Sequence, residues 1–238
     1  MQNAMPRPVN ITWRNQQPYS HQFDDVYFST DNGLEETDYV FLQGNQLAAR
    51  WQQGQFDQFT IIETGFGTGL NFLCAANLWL NTAPANAQLH FISIEKYPLS
   101  INEITQALSI WPQLQHLTPS FLHQYTAFNN QTCTIKLNEN IHLLLLIGDV
   151  IDCLNRISSQ ADAWFLDGFS PAKNPEMWQP SVFSAMAKNS HSTSTFSTFT
   201  SAGIVRRGLI DAGFTVKKQA GYGKKREMLT GFLSQQFS

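Results

Sequence analysis

Charge is scarce in this chain. Lys, Arg, Asp and Glu make up 14% of 238 residues, against about a quarter in ordinary soluble domains, so Gln, Asn, Ser and Thr must supply much of the surface polarity. Cysteine is scarcer: Cys74, Cys133 and Cys153 are odd in number, far apart and without a Cys-x-x-Cys pair. That argues against a disulfide framework and a thiolate metal site, and leaves buried apolar packing in a reducing compartment. The six histidines lack His-x-x-x-His spacing and none adjoins a carboxylate pair, so no metal is expected. No apolar run approaches a bilayer span, and residues 1–10 lack the apolar core of a signal peptide. The expectation is a soluble cytoplasmic protein with no membrane role. Internal repeats and low-complexity linkers are also missing.

What is present suits one large domain. Hydrophobic residues reach 42%, with 18 Phe and 6 Trp, enough for a sizeable core. Residues 1–58, rich in Gln, Asn and aromatics, read as an N-terminal elaboration of short strands with a helix over 33–51, packed on a main domain at 59–238. The charge is unevenly spread. From Lys173 onward nine Lys/Arg face three Asp/Glu, whereas residues 1–172 hold six against fifteen. Such a split suits a protein with one face turned to a polyanion, although ordinary solvated helix charge would also produce it.

From Phe59 strands and helices alternate. Strands are predicted over 59–63, 88–95, 132–137, 141–147, 163–166, 195–199, 214–219 and 228–232. Helices are predicted over 70–80, from Pro98 to about 110, and over 150–157, 180–188 and 202–212. Asn138-Glu139-Asn140 reads as a hairpin turn. Repeated βα units followed by a terminal hairpin predict an α/β fold, a doubly wound, mostly parallel sheet with antiparallel terminal strands.

Two segments at predicted strand ends carry the chemistry. Glu63-Thr64-Gly65-Phe66-Gly67-Thr68-Gly69 lies between a strand and a helix, where glycines let backbone approach a ligand and aim a helix N-terminus at it. The spacing is Gly-x-Gly-x-Gly. The third glycine of the dinucleotide fingerprint would fall on Leu70, so a ligand without a diphosphate, such as S-adenosylmethionine, fits better. Candidate cofactor contacts are Glu63, Gly65, Gly67, Gly69 and Asn71 from this segment, Glu95 at the next strand end for ribose hydroxyls, and Asp149 at the third beside the adenine. Asp149 also stands where a helix N-cap would.

The second segment is Asp167-Gly168-Phe169-Ser170-Pro171-Ala172-Lys173-Asn174-Pro175-Glu176-Met177-Trp178. A carboxylate at a strand end, followed by Gly and two prolines, is a stiff device for gripping a polar substrate group over the cleft. It would equally serve to end a strand.

Together with Phe66-Gly67-Thr68-Gly69-Leu70-Asn71-Phe72, Gly223-Lys224-Lys225-Arg226-Glu227-Met228-Leu229, Phe23-Asp24-Asp25-Val26-Tyr27-Phe28-Ser29 and Asn32-Gly33-Leu34-Glu35-Glu36-Thr37, this segment resembles the methyltransferase domain of the MnmC family over nearly the whole chain. Tyr222, where Phe is familiar, is a small departure. The resemblance implies a Rossmann-like class I methyltransferase that uses S-adenosyl-L-methionine and no metal. It implies N-methylation of the primary amine of 5-aminomethyl-(2-thio)uridine at the tRNA wobble position, giving 5-methylaminomethyl-(2-thio)uridine. In that family an FAD-dependent oxidase, often fused, acts first on the same amine. This chain reads as a stand-alone form or an excised N-terminal part, with FAD belonging only to such an oxidase.

On that reading Asp167 receives the amine as an orienting acceptor first and a general base second. Phe169 and Trp178 wall the pocket or stack on the flipped base, and as core aromatics they are equally plausible. Lys173 touches a phosphate or stands idle in solvent, with the phosphate contact slightly favoured. Arg206, Arg207, Lys224, Lys225 and Arg226, with Lys217 and Lys218, supply charge for the tRNA anticodon region. Two other readings stay open: a non-catalytic tRNA-binding or partner-docking module, and an NAD-dependent oxidoreductase, for which the glycine spacing and the lack of a Tyr-x-x-x-Lys pair speak poorly.

Overall fold

The aromatic N-terminal residues build a small antiparallel sheet before the main one begins. Its strands are β1 (Ile11–Arg14), β2 (Gln17–Ser20) and β3 (Asp25–Val26). The structure, a computed structural model, describes residues 11–14, 17–28, 33–126 and 131–234. Expectations placed on residues 1–10, on Ser29 and on Asn32 lie outside the described residues.

The helix expected over 33–51 is three pieces: α1 (Gly33–Thr37), a π-helical turn (Asp38–Gln43) and α2 (Leu47–Gln53). The break follows from tight packing on the sheet. A Cβ at Gly44 would lie 2.1 Å from the Val40 carbonyl oxygen and 2.3 Å from Ser197 Oγ. Asn45 turns its amide to the Phe41 and Trp164 carbonyls, and Gln46 adopts a left-handed φ of 56°.

Next come β4 (Gln58–Thr64), α3 (Leu70–Thr82), β5 (Gln88–Glu95), α4 (Ile101–Leu108), α5 (Thr118–Gln124), β6 (Thr132–Asn138), β7 (Ile141–Ile147), α6 (Val150–Leu154) and β8 (Ala161–Leu166). The chain continues through α7 (Pro180–Lys188), β9 (Ser190–Thr198), α8 (Gly203–Asp211), β10 (Phe214–Ala220) and β11 (Glu227–Leu233). The helix predicted from Pro98 starts later because Ser100 forms a capping box with Glu103. Single-turn 3₁₀ segments at Pro112–Leu114 and Pro175–Trp178, and helix α5, lack a sequence period long enough to predict.

The main sheet has the order β10-β11-β9-β8-β4-β5-β7-β6. β4 pairs in parallel with both β5 and β8, while β6 and β11 run antiparallel to their neighbours. Alternation along each strand divides the core between the two faces. Ala163 and Phe165 join Phe41, Trp51, Phe72 and Phe91 on one side, and Trp164 and Leu166 join Phe183, Met186 and Phe196 on the other. The chain moves from β4 outward through β5 to the edge strand β6, turns back into β7, then returns to β8 on β4's other side. The strand order therefore reverses between β4 and β8, where open α/β sheets form a crevice at their carboxyl ends. Among the described residues no helix is long and apolar enough to cross a membrane.

Trp51 ties the N-terminal region to this core. It is fully buried, with ring centroids 4.9 Å from Trp79 and 5.5 Å from Phe59. Trp51→Ala is expected to lower unfolding free energy by about 3–5 kcal/mol, read from urea denaturation followed by circular dichroism. A loss below about 1 kcal/mol would show that residues before β4 contribute little to the cooperative unit.

Candidate active site

The two loops that leave β4 and β8 meet at the switch point. The Asp167 backbone N–H donates to the Thr64 carbonyl at 3.2 Å, and the Thr64 hydroxyl donates to the Asp167 carbonyl at 3.1 Å. Gly65 follows with φ 83°, and a Cβ there would lie 2.8 Å from Gly168 Cα. Glycine at 65 is thus required first by the neighbouring loop, in addition to any ligand. Gly69, with φ 79°, starts α3, and a Cβ there would meet the Phe66 ring at 2.9 Å.

Above this junction opens a cavity of about 760 Å³, within the size range of small-molecule sites. The Gly65, Phe66 and Gly67 turn, Asn71, Glu95, Asp149 and the loop from Asp167 to Phe169 line it from the main sheet. The N-terminal residues Phe23, Tyr27 and Thr37 line it from above. An adenosyl sulfonium has no diphosphate, two ribose hydroxyls and an apolar purine. A short glycine turn, an acidic residue at the second strand end and aromatic walls fit that chemistry.

Glu95 accepts from the Gly67 N–H at 3.0 Å through Oε2 and from the Tyr97 N–H at 2.8 Å through Oε1. Burial raises its carboxyl above the ordinary range while these backbone donors pull it back. The backbone N–H groups of Lys96 and Phe66 also bear on it, so the carboxyl is held rigidly at the cavity wall. Asp149 realises its competing role as well. Its Oδ1 caps α6 through the Ile151 N–H at 3.0 Å, and its Oδ2 pairs with Lys96 at 3.2 Å. Lys96 also reaches Glu176 at 3.0 Å and so bridges two loops at the rim.

Asp167 is half-buried and doubly held. Its Oδ1 accepts from the Gly168 N–H and its Oδ2 from the Asn71 amide, both at 2.7 Å. Burial pushes its carboxyl up to about 6, against the pull of those two donors and of Lys225. Phe169, next in the chain, stacks on Phe23 at 4.4 Å between centroids and 20° between planes, with Tyr27 edge-on at 5.2 Å. Lys173 donates to the Asp24 carbonyl and pairs with its carboxylate at 3.6 Å, tying the N-terminal sheet to the same loop.

Several expectations need correction. Glu63 does not line the cavity: it is fully buried, accepting from Asn71 at 2.8 Å and from Ser93 at 2.5 Å, and burial holds its carboxyl well above the ordinary range. Trp178 is a core residue that fixes the loop from beneath, its indole N–H donating to the Phe169 carbonyl at 3.0 Å. Gly69 lies behind the turn and outside the lining. Lys225 faces the cavity but is paired with Glu36 at 2.6 Å and sits 4.3 Å from the Phe199 ring centre. Arg206, Arg207, Lys224 and Arg226 are exposed and away from the cavity, and none of them forms a salt bridge among the described residues. Phe23, Tyr27, Thr37 and Lys96 had no site role in the sequence reading. The signal for three of them was present, because Phe23, Tyr27 and Thr37 fall inside quoted motifs.

If the junction of the two loops shapes the cofactor cradle, Gly65→Ala should weaken adenosylmethionine binding more than about tenfold, read by titration calorimetry. Undiminished affinity would mean that the turn tolerates a side chain there.

Comparison with known proteins agrees with this geometry. Residues 112–234 match the profile of a family described as S-adenosyl-L-methionine-dependent methyltransferase. The chain is 55% identical over 94% of its length to the tRNA 5-methylaminomethyl-2-thiouridine biosynthesis bifunctional protein MnmC of Methylobacillus flagellatus, covering 35% of that protein. It is 50% identical over 91% of its length to the protein of the same name from a Marinomonas species, covering 32% of it. The chain therefore spans about a third of the length of these curated relatives. The crystal structure of MNMC2 from Aquifex aeolicus has the same fold, with a TM-score of 0.70 at 22% identity over 95% of this chain and 70% of that one. A doubly wound sheet, a glycine turn at its switch point and a profile match over half the residues make this chain a member of the S-adenosyl-L-methionine-dependent methyltransferase family, with MnmC proteins among its relatives.

Proposed function

We propose that this chain methylates the primary amine of 5-aminomethyl-(2-thio)uridine at the wobble position of tRNA, giving 5-methylaminomethyl-(2-thio)uridine. The product named for its relatives supports the substrate. The single observation that carries the reading is Asp167, a carboxylate at the cavity beside the glycine turn with both oxygens already oriented by N–H donors. An amine can donate to the remaining lone pairs. An FAD-dependent oxidase, fused or separate, would act earlier on the same amine, and FAD belongs to that step alone.

Bound S-adenosylmethionine supplies an electrophilic methyl on a sulfonium, so that a nitrogen–carbon bond forms, the carbon–sulfur bond breaks and its electron pair passes to sulfur. The chain's residues must present a neutral amine in line. An alkylamine has a pKa of roughly 10, like lysine, and a nearby carboxylate favours its ammonium form, which is the wrong direction. Burial offsets this. With the Asp167 carboxyl raised to about 6, the pKa gap a proton must climb from ammonium to Oδ narrows from roughly six to roughly four. Asp167 thus orients the amine first and relays its proton second.

Phe169 offers a flat face to the pyrimidine, now covered by Phe23, and a base would stack there in its place. Exposed Arg206, Arg207, Lys217, Lys224 and Arg226 offer charge to the anticodon backbone, and Lys173 a further contact at the cavity rim. Cofactor contacts fall to the Gly65–Gly67 backbone and Glu95, with Asp149 and Lys96 on the third-strand side.

Incubation with radiolabelled adenosylmethionine and tRNA lacking the final methyl should put label in the wobble nucleoside; none there overturns the reading, and cofactor binding without transfer would indicate a non-catalytic tRNA-binding module. Asp167→Ala should keep adenosylmethionine affinity and lose transfer by about a hundredfold or more. The tRNA affinity should fall steeply as salt rises from 50 to 200 mM, and an affinity indifferent to salt would remove the basic surface from the argument.

A further inference from the structure

Asn71, read from the sequence as a cofactor contact, lines the cavity beside Asp167 and turns its amide away from the cofactor turn, toward two carboxyl groups. Its amide nitrogen lies 2.8 Å from Glu63 Oε1 and 2.7 Å from Asp167 Oδ2, and its carbonyl oxygen accepts from the Thr37 hydroxyl at 2.9 Å. An amide nitrogen has two N–H bonds, so each carboxyl group takes one. The far ends are closed too, Glu63 Oε2 by the Ser93 hydroxyl and Asp167 Oδ1 by the Gly168 N–H. Ser93 and Glu63 are 0% exposed, Thr37 4% and Asn71 6%. A glutamate buried to that degree, outside the cavity lining and held only by neutral donors, cannot serve a ligand directly.

We propose that Asn71 is a positioning residue, locked by Glu63 and Thr37 so that one amide N–H holds Oδ2 of Asp167 and aims its remaining lone pair at the substrate. The assignment rests on Asp167 as the amine's acceptor. Four elements converge on one side-chain amide: α1 supplies Thr37, β4 Glu63, α3 Asn71 itself, and the loop after β8 Asp167. Free rotation of Asp167 is thereby removed, and orientation of this kind is the protein's main contribution to an in-line displacement.

The same N–H favours the ionised form of Asp167. The charged groups facing that carboxylate are Glu63 from β4, Glu36 from α1 and Lys225 from the turn between β10 and β11. Only Lys225 favours ionisation, and it is already paired with Glu36. The Asn71 and Gly168 N–H groups are therefore the donors that keep Asp167 charged at neutral pH.

Asn71→Leu keeps the shape and removes both donors. In protein carrying ¹³C-labelled aspartate, the Asp167 carboxyl resonance should then titrate about one pH unit higher than in the parent chain. Turnover should fall about tenfold or more, with adenosylmethionine affinity within about threefold. Glu63→Leu should have the same effects, whereas Glu63→Gln, which keeps an acceptor for Asn71 and a partner for Ser93, should recover most of the lost turnover. Thr37→Val leaves both carboxyl groups in place and should move the titration in the same direction by less, so the test survives if Asn71→Leu does not fold. An unmoved Asp167 titration in these variants overturns the proposal, as does a loss of cofactor affinity that accounts for the whole loss of turnover. The titration needs no substrate. A shifted titration alongside an Asp167→Ala protein that still transfers methyl would reject Asp167 as the acceptor while leaving the network intact.

Discussion

The site depends on how closely two backbone turns approach at the carboxyl ends of β4 and β8. Gly65 and Gly168 both take positive φ, and no side chain fits between them. Parallel pairing of Ile61–Thr64 with Ala163–Leu166 sets the register that brings the turns side by side. From that contact follow the rest: the glycine turn faces the cavity from one strand, Asp167 from the next, and α3 leaves with Asn71 in its first turn between them. A one-residue slip of β8 would turn Phe165 to the wrong face of the sheet and carry Asp167 away from Asn71.

Most strands and helices from β4 onward were legible because their apolar runs or periodic faces are long enough to read, whereas α5 was not. Glu95 and Asp167 could be placed at strand ends for the same reason. The break at Gly44–Gln46 was not legible, since its cause is Ser197 on a strand about 150 residues later, and such a partner leaves no local pattern. The start of α4 was misread because Pro98 is a stronger local signal than the Ser100–Glu103 capping box that prevails.

Roles within the site were harder to read than positions. Glu63 and Glu95 both stand next to strand ends, yet one faces the core and the other the cavity. The register pairs Glu63 with Ser93, so Glu95 stands two residues further along on the same face, at the very end of β5, and that height brings it to the cavity. Trp178 supports Phe169 from beneath because the 3₁₀ turn at Pro175–Trp178 folds the indole back onto its carbonyl. Lys225 and Lys173 read as free cations in sequence, whereas acidic residues nearly two hundred and about one hundred and fifty positions earlier partner them. Spacing along a chain identifies a strand end; it does not identify what crosses over it.

The buried acids then bear on one chemical problem. A carboxylate that grips an amine stabilises the ammonium, and a fully solvated aspartate would hold it as an unreactive cation. A fully desolvated one would be protonated and could no longer accept. Asp167 lies between these limits: burial raises it and two N–H donors hold it ionised. Glu63, on the other side of the same asparagine, has its carboxyl raised well above the ordinary range by burial and offers Asn71 an acceptor from within the core. One buried amide that gives one N–H to a core carboxyl and the other to the cavity-facing carboxyl is therefore the arrangement that fixes the direction in which Asp167 accepts from an amine.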